Sequence, residues 1–364
     1  MKFLIVRFSS IGDIVLTSPV VRCLKTQVAT AEVHFLTKRS FAPLFAANPY
    51  ISKMHYLDED IGNIIEELKR EDFDYVIDLH HNLRTLKVKR ALGKKSFSFN
   101  KLNVEKWVYT TFKWNVLPNA HIVDRYMETV RSFGIKNDGK GLDYFIPDSE
   151  HVKESDIPAA QLAGYVGLVI GGAHSTKKYP IHKWKELCQR LDHPVILLGG
   201  KEDQPAGEVI AAADPVKIYN ACGKFSLNES ADLVRRSKLI ISNDTGLMHV
   251  AAAFNRPVIS LWGNTVPEFG MYPYYSSNSV MPDITGVRHA AKADKREIVS
   301  SKRVSATGNK EIIATDGMYD VAEVKNLSCR PCSKIGYDQC PLGHFKCMER
   351  ISIESLIERI NVRL

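Results

Sequence analysis

Lys238-Leu239-Ile240-Ile241-Ser242-Asn243-Asp244-Thr245-Gly246-Leu247-Met248-His249-Val250-Ala251-Ala252-Ala253 is the stretch from which the fold can be read. Lys238–Ser242 is a β-rich run, Asn243–Thr245 a small polar turn, and Leu247–Phe254 a helix that begins near Gly246. A buried strand that turns directly into a helix is the unit of a parallel sheet covered by helices. The same alternation runs outward in both directions. Upstream, Gly164–Ile170 and Val195–Leu198 read as strands, and Lys183–Leu191 and Ser226–Arg236 as helices; downstream, Pro257–Trp262 is another strand. The first half repeats it, with strands at Lys2–Phe8, Glu32–Leu36 and Tyr75–Leu79 and helices at Asp13–Gln27 and Ile61–Lys69. Trp184 belongs to the core, while Arg7 and Lys25 are expected in solvent.

Two doubly wound α/β domains facing a cleft are therefore expected. The first covers 1–155 and the second 164–350, joined through the polar, proline-punctuated stretch Ile146–Ala163 and finished by a closing helix over 351–364. At 364 residues the chain is long enough for both cores. Asn278–Val321 is polar, with Tyr319 as its single aromatic, and reads as a surface insertion; removal of 279–320 is expected to leave the fold intact. No apolar run approaches the ~20 residues of a membrane-spanning helix, and Arg7 interrupts the N-terminal run too early for a signal peptide. A cytoplasmic location is expected. The net charge of +8 favours acidic partners.

In open α/β sheets ligands bind beyond the carboxyl ends of the strands, so the turns after the strands carry the candidate chemistry. At Asn243–Gly246 the free N–H groups of a helix start can hold an anion. Asp244 or Thr245 can cap that helix, Gly246 admits a phosphate, and His249 reaches it or packs. After the strand at Gly164–Ile170, Gly171-Gly172-Ala173-His174-Ser175-Thr176-Lys177-Lys178-Tyr179-Pro180 offers open backbone, the hydroxyls of Ser175 and Thr176, and the charge of Lys177 or Lys178. A solvated loop would have the same composition. Neither a Walker A spacing nor a GxGxxG fingerprint is present, which counts against NAD and FAD. After the first strand, Ser9-Ser10-Ile11-Gly12-Asp13 puts an acid in the first helical turn, as a dipole partner or as a general base kept ionised by that dipole.

These motifs, in this order, resemble glycosyltransferase family nine, the ADP-heptose:lipopolysaccharide heptosyltransferases, and the resemblance implies the GT-B fold. It runs from Met1 to Asn264 and from Val324 to the C-terminus. It implies that Asp13 is the catalytic base, with Ser10 and Gly12 on the acceptor side, and that Lys177, three residues before Pro180, is the phosphate-loop lysine and acts in catalysis. Ser175, Thr176, Lys177, Asn220, Asp244, Thr245, Gly246 and His249 would form the donor side. Asp78-Leu79-His80-His81-Asn82-Leu83-Arg84 resembles the acceptor-side segment, with His80, Asn82 and Arg84 as its candidates. Asn220 stands where some relatives carry an acid for the ribose.

The implied activity is inverting transfer of a sugar, a heptose from ADP-heptose, onto a lipopolysaccharide-core saccharide. No cofactor is required for catalysis and no metal ligand is assigned at the site. The implied acceptor is anionic and lipid-linked, with peripheral contact at the inner face of the cytoplasmic membrane and no nucleic acid as partner. A nucleotide-sugar epimerase of the same architecture, or a non-catalytic module binding anionic glycans or nucleic acid, are the alternatives. Cys329, Cys332, Cys340 and Cys347, with His344 among them, are compatible with a structural zinc ion or with free thiols packing a small subdomain.

Overall fold

The computed structural model describes residues 1–58, 60–276 and 318–364. The first half is a five-stranded sheet of β1 (Lys2–Val6), β2 (Glu32–Lys38), β3 (Lys53–Leu57), β4 (Tyr75–Asp78) and β5 (Lys95–Ser98). Its helices are α1 (Ile11–Val15), α2 (Ser18–Gln27), α3 (Ile61–Arg70), α4 (Leu83–Leu92), α5 (Asn103–Phe112) and α6 (Ile122–Met127). After the short α7 (Ala159–Leu162) comes the second sheet: β6 (Val166–Val169), β7 (Val195–Leu198), β8 (Ile218–Asn220), β9 (Leu239–Asn243), β10 (Val258–Trp262) and β11 (Tyr319–Glu323). Around it lie α8 (Ile181–Arg190), α9 (Gln204–Ala211), α10 (Leu227–Arg236), α11 (Gly246–Ala253), α12 (Lys346–Glu349) and α13 (Ile353–Asn361).

The strand orders are β3-β2-β1-β4-β5 and β11-β10-β9-β6-β7-β8, and every pairing is parallel. Both are the Rossmann order, with a reversal of winding between β1 and β4 and again between β6 and β9. The central strands read as continuous apolar runs because helices cover both of their faces. Two such sheets with facing carboxyl ends make the GT-B arrangement. One apolar cluster runs through both halves, from Phe3 and Ile5 to Met248 and Trp262, so the halves share a packed interface. No helix among the described residues is long and apolar enough to cross a membrane.

Several expectations need correction. Asp13–Gln27 is two helices, not one, because a proline ring at position 19 would clash with the carbonyl of Val15 in a continuous helix; α2 instead takes Pro19 into its first turn. Arg7 is 7% exposed rather than solvated, and Lys25 is held by the Ala31 carbonyl at 2.7 Å and by Ser52 Oγ. The insertion does not extend to Val321. Residues 278–317 lie outside the described residues, but Tyr319–Glu323 is an edge strand in register with β10, with Tyr319 stacked against Tyr272. Asp320 is buried and paired with Arg359 at 2.9 Å and Arg363 at 3.3 Å, which ties α13 to the sheet. Asp320, one of the polar residues that suggested a loop, is thus part of a buried ion network. A deletion of 279–320, which takes two of the five β11 residues, is expected to cost soluble protein, and one that stops at 317 is expected to retain more; soluble yield and thermal melting of the two check this. Trp184 is core, at 1% exposed.

Candidate functional site

Four of the turns singled out in the sequence leave the sheets at the two winding reversals: those after β1 and β4 in the first half, and those after β6 and β9 in the second. The two halves meet where α1 and α11 begin. A Cβ on Gly12 would lie 2.6 Å from His249 Cδ2 and 3.3 Å from Gly246 Cα, and one on Gly246 would lie 2.7 Å from Ile11 Cγ2. Gly246 therefore admits α1, not a phosphate at that Cα. With no side chain at either position, Asp13 and the start of α11 come together.

Asp13 is held firmly. Its Oδ1 is 2.7 Å from Arg7 Nη2, and its Oδ2 accepts from Ser10 Oγ at 2.8 Å and from the Ser10 amide at 3.3 Å. Arg7 is fixed in turn, donating to the carbonyls of Ser9 and Leu79 at 2.7 and 2.6 Å and to the Tyr126 hydroxyl at 3.0 Å. Burial pushes the Asp13 carboxyl up, but the Arg7 guanidinium and the Ser10 hydrogen bonds outweigh it and hold the group below its ordinary value. Asp13 is ionised at neutral pH, as a base must be.

On the opposite wall, the Asn243 side chain fastens the two turns of the second sheet. Its amide donates to the carbonyls of Ile170 and Gly171 at 3.0 Å, and its oxygen accepts from the Tyr179 amide at 3.0 Å. Lys177 Nζ lies 2.6 Å from Asp244 Oδ2, which also accepts from Thr265 Oγ1 at 2.9 Å. Neither Asp244 nor Thr245 caps α11: Thr245 is the N-cap residue but makes no side-chain cap bond, so the first-turn amides of α11 have no side-chain acceptor among the described residues. His249 is buried and its pKa is pushed down to about 4, chiefly by burial, so the ring is neutral, and its Nδ1 has no partner among the described residues. Asp13, Asp244 and Lys177 all lie within electrostatic reach of that ring.

Other predicted residues do not reach the cleft as expected. Thr176 is 2% exposed, donates its hydroxyl to the Tyr337 carbonyl at 3.0 Å and accepts from the Tyr337 amide at 2.8 Å; it fastens the loop to the cysteine-rich segment. Asn220 is buried at the end of β8, with both amide N–H donors taken by the Gln204 carbonyl and Glu208 and its oxygen accepting from the Cys222 amide, so no donor remains for a ribose. Lys178 is paired with the buried Asp203 at 2.6 Å. Ser175 is exposed and available. On the acceptor side, Asn82 caps α4 through the amides of Arg84 and Thr85, and Arg84 is exposed. His80 packs on Phe8, with its Nδ1 buried and unpartnered, and burial followed by repulsion from Arg7 and Lys101 pushes its pKa down to about 4.

Some residues at the site carry no linear signal. Lys101 and Lys106, flanking the start of α5, and Lys334, from the cysteine-rich segment, lie within electrostatic reach of one another, and the first two within reach of Asp13. None of the three ammonium groups has a hydrogen-bond or ion-pair partner among the described residues, although that of Lys106 lies over the Phe269 ring at 5.6 Å. Asn264, just after β10, is 1% exposed, and neither side-chain amide atom has a partner among the described residues. A cavity of 480 Å³ opens nearby between Tyr109 and Lys113 of the first half and Glu323–Arg330 of the second. Burial raises the Cys332 and Cys347 thiols, and no three of the four cysteines have ligand atoms within 4.8 Å of one another.

Residues 61–299 match the family described as glycosyltransferase family 9 (heptosyltransferase). The chain is 28% identical to lipopolysaccharide heptosyltransferase 1 of Campylobacter coli, over 81% of this chain and 94% of the relative. It is 26% identical to lipooligosaccharide heptosyltransferase 2 of Haemophilus influenzae, over 74% and 85%. Among solved structures, the ADP-heptose lipopolysaccharide heptosyltransferase II of Escherichia coli superposes with a TM-score of 0.69 at 17% identity, covering 100% of this chain and 98% of that one.

Proposed function

The chain belongs to glycosyltransferase family 9, and we propose that it transfers a heptose from ADP-heptose, with inversion, onto an anionic lipopolysaccharide-core saccharide. The observation that carries this reading is the meeting of Asp13 with the start of α11 and Lys177 through Gly12 and Gly246. The second domain (164–350) binds the donor diphosphate on the α11 amides, Lys177 and Ser175. The first domain (1–155) presents the acceptor. Asp13 takes the proton from the acceptor hydroxyl as its oxygen attacks the anomeric carbon, and the bond to the diphosphate breaks on the opposite side. Negative charge grows on the leaving diphosphate, where fixed N–H dipoles and a lysine stabilise it. His249, neutral and unpartnered, lies beside that path. The test is incubation of the purified protein with ADP-heptose and a truncated core acceptor, followed by mass spectrometry. Release of ADP without a heptosylated product, or no reaction, would overturn the assignment.

Lys101 and Lys106 of the first domain and Lys334 of the second support the anionic acceptor, since the three lie within electrostatic reach of one another and none of their ammonium groups forms an ion pair among the described residues. Burial, then repulsion from Arg125, pushes the Lys106 ammonium down to about 8. Below that pH it is charged and attracts the acceptor; above it the charge is lost. The KM for acceptor is therefore expected to rise as pH passes about 8, with kcat less affected, and Lys106→Arg should remove the rise. A KM that stays flat from pH 7 to 9 in both proteins would detach Lys106 from acceptor binding.

Peripheral membrane contact is supported by α5 and the turn after it. Trp107, Phe112 and Trp114 are 52%, 50% and 68% exposed, their rings pack on one another, and α5 buries no residue. An exposed aromatic patch beside unpaired lysines suits an anionic lipid surface. Trp107→Ser with Trp114→Ser is expected to lower binding to vesicles containing anionic lipid about tenfold while leaving transfer to a soluble acceptor unchanged. Equal sedimentation of both proteins with vesicles would refute it.

A further inference from the structure

At the other end of the first sheet, near the amino-terminal ends of its strands, two histidines lie on the face that α3 covers. The parallel register sets His34 of β2 opposite Lys53, two residues before His55 of β3, so both rings point the same way. Each residue is 1% exposed. His34 Nδ1 lies 2.9 Å from His55 Nε2. Each outer nitrogen meets a carboxylate: His34 Nε2 is 2.8 Å from Glu32 Oε1, and His55 Nδ1 contacts Glu67 Oε1. Glu71, which ends α3, places Oε2 3.9 Å from His34 Nδ1. Among the described residues this is the one group of three or more ligand-type side chains whose atoms lie within 4.8 Å of one another.

Counting protons decides what belongs between the rings. A neutral imidazole has one N–H, and an ionised carboxylate only accepts. Glu32 and Glu67 therefore draw the ring protons outward, which leaves two lone pairs facing each other at 2.9 Å. Such a pair repels unless a cation lies between. A proton can do this only by making one ring an imidazolium, a charge placed on a side chain that is 1% exposed. A metal ion does it with both rings neutral.

The geometry suits one. Metal–nitrogen bonds of about 2.0–2.1 Å at tetrahedral angles hold ligand atoms roughly 3.3 Å apart, so the 2.9 Å and 3.9 Å separations each need to change by about half an ångström. Outer carboxylates on both imidazoles are the usual supports of ligating histidines. The charge suits one too. Glu71 is at present shared by Lys2 and Lys53, and three carboxylates against two lysines leave one negative charge in excess.

We propose that His34 Nδ1, His55 Nε2 and Glu71 Oε2 bind one divalent transition-metal ion of the zinc, cobalt and nickel class, with water at the fourth position. The ion fastens β2, β3 and the end of α3, on the side of the sheet away from the cleft.

The experiment titrates metal-stripped full-length protein with Co²⁺. The cysteines are separated by their signature, because thiolate ligation adds a strong sulfur-to-cobalt charge-transfer band that nitrogen and oxygen ligands lack. In the double variant Cys329→Ser and Cys332→Ser, one Co²⁺ per chain is expected with ligand-field bands alone, together with a rise in Tm. Affinity should fall on the order of ten- to a hundredfold in Glu71→Gln, and binding should be lost in His55→Gln. Should His55→Gln fail to fold, Glu71→Gln decides alone, since its site is at the sheet edge. No Co²⁺ bound by the cysteine variant at millimolar concentration, or binding unchanged in Glu71→Gln, overturns the proposal.

Discussion

Replacing Asp13 with asparagine is expected to lower turnover on the order of 10²–10⁴, the usual range for loss of a general base, while donor affinity stays within about twofold. Asparagine keeps the shape of the side chain and can still accept from Ser10, but it cannot take a proton. Arg7 would keep its bonds to Ser9, Leu79 and Tyr126, so the turn should hold. The pH dependence follows from the sign of the shift. The folded-state pKa of Asp13 lies below its unfolded value. Its contribution to stability is thus present above the unfolded pKa of about 3.9 and is lost as pH falls through the folded value. For the same reason, Asp13 should produce no acid limb in kcat/KM between about pH 5 and 8. The variant loses the Arg7 pairing, so a lower Tm is expected beside the rate loss. A folded Asp13→Asn protein with near-normal turnover would reduce Asp13 to a partner of Arg7 and of its own helix start.

The carbon skeleton of the site was legible because each turn follows a buried strand of four or five residues and precedes a helix, a signal that needs no tertiary information. The residues after β1, β6 and β9 were found in this way. What tertiary contacts alone decide was missed. Thr176 and Asn220 have the chemistry of ligand-binding residues, but Tyr337, Gln204 and Glu208, distant or on neighbouring elements, take up their polar atoms. Arg7 looked like a solvated charge because its acceptors are Leu79, Tyr126 and Asp13, two of them more than 70 residues away. Tyr319–Glu323 was hidden for a related reason: its Asp320 reads as a surface residue until Arg359 and Arg363 are brought to it. The short β5 offers no apolar alternation, and α5 repeats Val104, Trp107, Val108 and Phe112 at helical spacing but buries none of them.

Lys177→Ala is expected to cost roughly 2–4 kcal/mol of transition-state stabilisation, comparable to removing one oxyanion donor. Lys177 reaches from the turn after β6 to the start of α11, where the leaving diphosphate would gather charge. An interaction that strengthens as charge develops appears in kcat as well as in KM. The ion pair with Asp244 gives a competing explanation, in which Lys177 only neutralises that carboxylate and the variant loses stability without losing rate. Lys178 provides the contrast. It too is paired with an aspartate at 2.6 Å, but Asp203 lies deeper, 3% exposed, and also holds the Gly200 amide. Lys178→Ala should therefore lower Tm by uncovering a buried carboxylate and leave kcat at saturating donor nearly unchanged. Lys177→Ala should do the reverse, with a modest change in Tm and a kcat reduced about thirty- to a thousandfold. Adding a chelator to the wild-type assay should leave the chemical step unaffected, since amides and a lysine carry the charge. Equal kcat losses in the two lysine variants, or an absolute requirement for magnesium, would mean that the turn after β6 is not the diphosphate clamp.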